Sequence, residues 1–236
     1  MHVMEDATLP LIATVTLAQP SVPVHVLRYN PALIRHPEYL VCFQCGFIIR
    51  AYEVPPDQRY EVVSNERGRR EAASLITKHL RKKGKLPLPQ DVLASLHEQL
   101  LNGLIVQLRS IPIGLRIDRW LYDEYPALKE LQKEAAMKQL QDNTTTLRPD
   151  IAAFAPNQIH RPSLAMNAAY AEFWARLYEE PQLSLPYKAT GQLESGLQLL
   201  SLLDAVPSDA AHDRQLIDRW AESLGINNWY TCKAER

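Results

Sequence analysis

The sequence predicts a predominantly helical α+β fold, in which a small N-terminal β-sheet packs on a helical bundle. The chain of 236 residues contains 17 Pro but only 8 Gly. Proline is excluded from helix interiors and glycine supplies the positive φ angles of tight hairpins, so this ratio favours helices joined by proline-marked corners. Hydrophobic residues make up 46% and charged residues 22%, which argues against a disordered chain or a disulfide scaffold.

The N-terminal region predicts β-structure. Residues 11–28 contain two short β-rich segments on either side of Gln19 and Pro20. The alternating apolar residues of the second segment are Val22, Val24 and Val26. Proline cannot donate a hydrogen bond to a β-ladder, so Pro20 and Pro23 indicate an edge position for this strand.

The next run, from Glu38 to Glu53, predicts a buried helix that ends before Pro55, because its apolar residues recur at three- and four-residue steps. These apolar residues are Leu40, Phe43, Phe47 and Ile48. Gly46 and the β-branched residues leave a strand as the alternative. Residues 60–63 predict a further short strand.

Residues 66–85 predict a helix with a strong local excess of positive charge. The segment holds eight basic and two acidic residues, although the whole chain carries a formal charge of −1. Several basic side chains on one helix face can follow a nucleic-acid backbone, whereas an ordinary solvated helix face is the alternative. The candidate nucleic-acid-binding residues are Arg67, Arg70, Lys78, Arg81, Lys82 and Lys83.

A central amphipathic helix is predicted from Asp91 to about Arg109, where leucines recur at helical spacing. The sequence Pro112-Ile113-Gly114 then predicts a break followed by a shorter helix. Pro126 opens a further helix, which ends in a polar stretch beginning at Asp142.

The longest irregular connection is predicted at residues 142–162, which contain three prolines. It would join an N-terminal α+β part, residues 1–141, to a C-terminal helical part, residues 163–236, within what we expect to be one domain. Helices of the second part are predicted to begin at the capping residues Ser163, Thr190 and Ser208. The last of them is predicted to end at Gly225.

The dipeptide His97-Glu98 in the central helix begins like the H-E-x-x-H zinc motif, in which two histidines bind the metal and the glutamate is the general base. Leu101 stands where the second histidine is expected, and leucine has no lone pair for a metal ion. Residues 97–132 resemble bacterial zincin-like metallopeptidase proteins. In those proteins a His-Glu helix is followed by a small-residue and Pro turn and then by an acidic ligand on the next helix.

This resemblance implies that His97 is the first metal ligand, Glu98 the general base and Asp118 the third ligand. Because Leu101 departs from the pattern, the resemblance also implies a degenerate relative that keeps the fold and has lost catalysis. Two alternatives stay open. His97 and Leu101 are ordinary core or boundary residues, or an active zinc site recruits a substitute ligand such as His160.

The three cysteines, Cys42, Cys45 and Cys232, cannot form a disulfide framework, which favours a reducing cytoplasm. Cys42 and Cys45 have the spacing of zinc and redox motifs, but they lie within an apolar run, which favours two core cysteines. The apolar stretch 9–18 follows acidic rather than basic residues, which argues against a signal peptide. No apolar run reaches about 18 residues, so no membrane span is predicted.

Phosphate-binding glycine loops and the G-x-S-x-G elbow of α/β-hydrolases are missing from the sequence, which argues against both classes. We therefore expect a non-catalytic protein that binds another protein through a degenerate zincin-like scaffold, with no cofactor. The alternatives are a zinc-dependent metallopeptidase with an atypical ligand set and a nucleic-acid-associated protein. The sequence predicts no particular oligomeric state.

Overall fold

The described part of the chain is mainly helical and carries two small β-sheets, as the sequence predicts. The computed structural model describes residues 1–10, 12–18, 23–34 and 36–234. The sequence predictions for Gln19, Pro20 and Val22 concern positions outside these ranges.

The N-terminal sheet has three strands: β1 (His2–Glu5), β2 (Ala13–Thr16) and β3 (Val26–Tyr29). β3 lies in the middle, parallel to β1 and antiparallel to β2. The prediction of an edge position for the second segment is therefore wrong. The reason is that Pro23 precedes the strand, so its missing N–H interrupts no ladder hydrogen bond.

Helix α1 (Pro37–Glu53) confirms the predicted helix and its end before Pro55. It is followed by β4 (Tyr60–Ser64), which confirms the predicted short strand, and by α2 (Glu66–Lys82). Asn65 caps α2, because its side-chain oxygen accepts a hydrogen bond from the Gly68 N–H at 2.7 Å.

Helix α3 (Gln90–Glu124) is the central element and runs unbroken for 35 residues. The predicted break at Pro112-Ile113-Gly114 is wrong. Proline removes one backbone hydrogen bond, but the residues on both sides of it, from Leu108 to Leu115, include buried side chains whose packing holds the helix together. α3 packs against α1, α2, α6 and α9, so it forms the axis of the core.

The length and composition of α3 also suffice to cross a membrane, and it is the one helix in the described ranges that meets this test. Within its most apolar window, 56% of the residues are buried inside the protein. Burial of this kind is what the core helix of a folded domain shows.

The remaining elements are α4 (Lys129–Thr144), α5 (Pro149–Ala152), α6 (Asn157–Leu177), α7 (Leu185–Ala189), α8 (Leu193–Ala205), α9 (Asp213–Ser223) and β5 (Tyr230–Ala234).

Residues 142–162 are thus largely helical rather than irregular, and α6 begins at Asn157 instead of Ser163, with Pro162 inside it. The caps predicted at Thr190 and Ser208 are likewise replaced by later helix starts. Gly225 follows α9 with a φ of 69°, as predicted.

The C-terminal end returns to the N-terminal half of the chain. β5 pairs antiparallel with β4, and the Trp229 indole N–H donates a hydrogen bond to a Glu71 carboxylate oxygen at 2.9 Å. One cluster of buried apolar side chains extends from Tyr39 to Trp229. The core therefore contains residues from both predicted parts of the chain, 1–141 and 163–236. The division of the chain into these two parts stays a prediction.

Candidate functional site

A cavity of about 870 Å³ lies between α1, α3, α4 and α6. One face of α3 forms its floor through Gln107, Ile111, Gly114 and Asp118. Their spacing of four, seven and eleven residues repeats the helical period, so they line one stripe about 16 Å long. The cavity is therefore elongated along α3.

Asp118 is the most buried charged group of this cavity, with 2% of its surface exposed. Its Oδ1 accepts hydrogen bonds from the Tyr39 hydroxyl and, at 3.2 Å, from the Gln132 amide. The same Gln132 nitrogen donates to the Asp118 backbone carbonyl at 2.9 Å. Among the described residues no group donates to Oδ2, which leaves that oxygen as an acceptor for a ligand.

The protonation of Asp118 is set by two opposing effects. Burial raises its pKa to about 7, while the hydrogen bonds from Tyr39 and Gln132 oppose this rise. A carboxyl group with such a pKa changes charge near neutral pH, which is common at functional sites.

Aromatic rings form part of the cavity wall. α1 contributes Tyr39 and Phe43, whose ring centroids lie 5.8 Å apart, and α6 contributes Tyr170. Burial, together with the nearby Asp118 charge, raises the pKa of both tyrosines well above the ordinary value, so their hydroxyls stay protonated at neutral pH. The faces of such rings attract cations.

A second polar group lies at the other end of the stripe. The Gln107 amide donates to the Asn167 side-chain oxygen at 3.2 Å, and the Asn167 amide donates to the Thr146 hydroxyl at 3.2 Å. The Gln107 oxygen is buried and has no partner among the described residues. Within the described residues, this end of the stripe therefore holds a buried acceptor that lacks a donor.

The ionisable residues that line the cavity are mainly acidic. Asp118, Glu134 and Asp142 contribute three carboxyl groups, against one lysine, Lys138. The Lys138 ammonium group donates a hydrogen bond to the Leu33 carbonyl at 2.7 Å. This balance of charge favours a positively charged ligand.

The structure does not bring the predicted metal ligands together. His97 and Asp118 lie 21 positions apart on the unbroken α3, which separates them by about 31 Å. The expectation that they share one metal ion is therefore not met, because the chain does not turn at Pro112. His97 instead forms a hydrogen bond with the Thr77 hydroxyl of α2 at 3.1 Å, and burial lowers its pKa.

The other residues of the predicted zinc site are also apart from one another. Glu98 is exposed, Leu101 is 2% exposed in the core, and the His160 ring bonds to the Thr146 carbonyl at 2.8 Å. Within the described ranges no three His, Cys, Asp or Glu residues are grouped so that they could hold a metal. The predicted zinc ligands are therefore not grouped in the part of the chain that the structure describes, and zinc binding and the zincin-like relationship stay predictions.

The predicted nucleic-acid-binding residues are all exposed on or just after α2. Arg67 and Arg70 pair with Glu71 and Glu66 on the same helix, at 2.7 and 3.6 Å. The remaining predicted residues are Lys78, Arg81, Lys82 and Lys83. The predicted residues that lie within α2 cover an arc of about 120° around the helix axis, so they form one basic stripe. Nucleic-acid binding by this stripe stays a prediction.

The cysteines are free thiols of intermediate exposure. Cys42 and Cys45 lie on α1, and burial, with a smaller effect of Cys45, raises the pKa of Cys42. A raised pKa lowers the thiolate fraction, which disfavours a redox role for the pair.

Comparisons of the chain with protein-family models, with curated proteins and with solved structures found no match. Sequence reasoning missed Tyr39, Gln107 and Gln132 as residues of the candidate site. The sequence does contain a signal for part of this site, because Gln107, Gly114 and Asp118 interrupt an apolar helix at helical spacing. The predicted end of that helix at Arg109 concealed the pattern.

Proposed function

We propose that the protein binds a small organic cation, an elongated molecule whose ammonium group pairs with Asp118. The observation that carries the proposal is the Asp118 Oδ2, a carboxylate oxygen to which none of the described residues donates, in a mainly apolar cavity of about 870 Å³. A volume of this size is typical of small-molecule sites.

Three features support a cation over a neutral or anionic ligand. The Asp118 Oδ2 at one end of the α3 stripe offers an acceptor, so it matches a ligand that donates hydrogen bonds. Tyr39 and Tyr170 line the cavity, and aromatic rings attract positive charge over their faces. An anion would instead meet the carboxyl groups of the lining, which repel it.

Three probes with the same alkyl chain test the proposal: n-octylamine, n-octanol and octanoic acid. The probes differ only in head group, so calorimetric titration at about pH 8 separates recognition of the charge from burial of the alkyl chain. We expect n-octylamine to bind at least about tenfold more tightly than n-octanol, which is about 1.4 kcal/mol, and octanoic acid to bind most weakly. Equal affinities of the amine and the alcohol would contradict the proposal.

The variant Asp118→Asn tests whether Asp118 is the residue that pairs with the ammonium group. It keeps the shape of the side chain and the Oδ1 acceptor for Tyr39, but it removes the charge, so n-octylamine affinity should fall at least about tenfold while n-octanol affinity stays unchanged. The matched control is Asp123→Asn, which removes an exposed carboxylate from the same helix outside the cavity. If both variants bind n-octylamine like the unmodified protein, Asp118 is not its partner.

The protein-interaction role expected from the sequence stays a prediction beside this proposal. The same holds for the cytoplasmic location and for nucleic-acid binding by the basic stripe of α2. Binding of a small ligand in the interior cavity requires none of them.

A further inference from the structure

A second cavity of about 560 Å³ lies on a different face of α3 from Asp118. It is bounded by α1, α3, α6, α8 and the segment that follows α8. Four arginines line it: Arg50, Arg116, Arg119 and Arg176. One carboxylate, Asp204, lies among the lining residues.

Arg116 is the buried member of this group, with 5% of its side chain exposed. Its two terminal nitrogens donate to the Asp213 carboxylate at 2.8 Å and to the Val206 carbonyl at 2.9 Å. The Nε–H is buried and has no partner among the described residues. A buried guanidinium N–H without an acceptor is costly, so the Arg116 charge is only partly satisfied by its partners in the described part of the chain.

The buried charges around Arg116 do not balance. Arg50 binds the same Asp213 carboxylate through its Nε at 2.7 Å and a terminal nitrogen at 2.6 Å. Two guanidinium groups therefore share one carboxylate, so these three side chains together carry a net positive charge beside the cavity.

The two exposed arginines add further donors. Arg119 forms no ion pair or hydrogen bond with the described residues, and its guanidinium carbon lies 5.4 Å from the centre of the Phe173 ring. Arg176 uses its Nε for Glu172 at 2.9 Å, which leaves both terminal nitrogens free to donate.

We infer that this second cavity binds a small phosphate monoester with an apolar body. The three terminal oxygens of a phosphate monoester accept more hydrogen bonds than a carboxylate does, and guanidinium groups match them in charge and geometry. Leu115, Leu200 and the rings of Trp120 and Phe173 provide an apolar wall for the rest of the ligand.

Titration with phenyl phosphate, inorganic phosphate and benzoate tests the inference. We expect phenyl phosphate to bind most tightly, inorganic phosphate about tenfold more weakly because it lacks the ring, and benzoate most weakly. Failure of phenyl phosphate to bind, or benzoate binding as tightly, would overturn the inference.

Substitutions of lining residues test whether phenyl phosphate binds in the second cavity. Arg119→Gln and Arg176→Gln change exposed side chains, so the fold tolerates them, and each should lower phenyl phosphate affinity about tenfold or more. Asp204→Asn should increase the affinity severalfold, because it removes the carboxylate that opposes the anion. Arg109→Gln is the control on the same helix, since Arg109 pairs with Glu61 outside the cavity.

Unchanged affinity in both Arg119→Gln and Arg176→Gln would overturn the assignment. Binding of n-octylamine should be unaffected by these variants, so failure of this inference is distinct from failure of the proposed function.

Discussion

Asp118 is the residue on which the proposed function depends. Its charge is destabilised by burial, while hydrogen bonds from Tyr39 and Gln132 stabilise the charged form. The balance leaves the pKa at about 7, so the free protein holds this carboxyl group poised between its two states at neutral pH. A cation that pairs with Oδ2 would stabilise the charged form and release a proton.

The pH dependence of stability tests this view of Asp118. An unfolded Asp ionises at about pH 4, whereas the folded protein keeps the proton up to about pH 7, so the folded state binds more protons in between. The free energy of unfolding should therefore fall as the pH rises through this window, by on the order of 1 kcal/mol per pH unit, and level off above it.

Urea denaturation of the unmodified protein and of Asp118→Asn at several pH values between about 5 and 8 measures this contribution. The difference in unfolding free energy between the two proteins should shrink or reverse with rising pH, since the variant lacks the titrating group. Parallel profiles would show that Asp118 ionises alike in the folded and unfolded states.

The zincin-like resemblance singled out Asp118 as a metal ligand on a helix after a turn, whereas the structure places it in the unbroken α3 beside Tyr39 and Gln132. Its hydrogen-bond partner Tyr39 lies 79 positions earlier on α1, and Gln132 lies 14 positions later on α4. No local pattern links such positions, because the packing of three helices brings them together. The resemblance drew attention to Asp118, but its hydrogen-bond partners could be identified only from the fold.

At the scale of elements, helical periodicity predicted α1 and the first half of α3, and it failed at prolines. Pro112 and Pro162 both lie inside helices, because buried neighbours on either side outweigh the one hydrogen bond that each proline removes. The strands β1 and β5 were missed for another reason. They pair with distant segments, so their formation depends on tertiary contacts.

The crossing of α1 and α3 depends on a small residue. A Cβ added at Gly46 would lie 2.5 Å from a side-chain carbon of Ile117, so Gly46→Ala forces the helices apart and should destabilise the protein by about 1–3 kcal/mol. This is opposite to the gain that alanine gives in a helix interior.

Gly103→Ala is the matched control, because an added Cβ at this exposed position of α3 meets nothing within 4 Å. It should stabilise the protein by up to about 1 kcal/mol through helix propensity alone. Denaturant unfolding measures both variants, and a Gly46→Ala protein as stable as Gly103→Ala would contradict the close crossing.

At the scale of the whole molecule, α3 carries two cavities of opposite charge. The cavity of Asp118 is lined by three carboxyl groups and one lysine, and the other is lined by four arginines and Asp204. The formal charge of −1 conceals this separation as well as the basic face of α2. Neither cavity was predictable from the sequence, because each takes its lining from several helices that are distant along the chain.

Cation binding by Asp118 is tested by measuring the affinity of n-octylamine for the unmodified protein and for Asp118→Asn, each at about pH 6 and at about pH 8. An alkylammonium group, like that of lysine, stays charged at both pH values. Because the Asp118 carboxylate becomes the major form above about pH 7, the unmodified protein should bind about tenfold more tightly at the higher pH, and Asp118→Asn should show no such change. The same pH dependence in both proteins, or none in the unmodified one, would contradict the assignment of Asp118 as the partner of the cation.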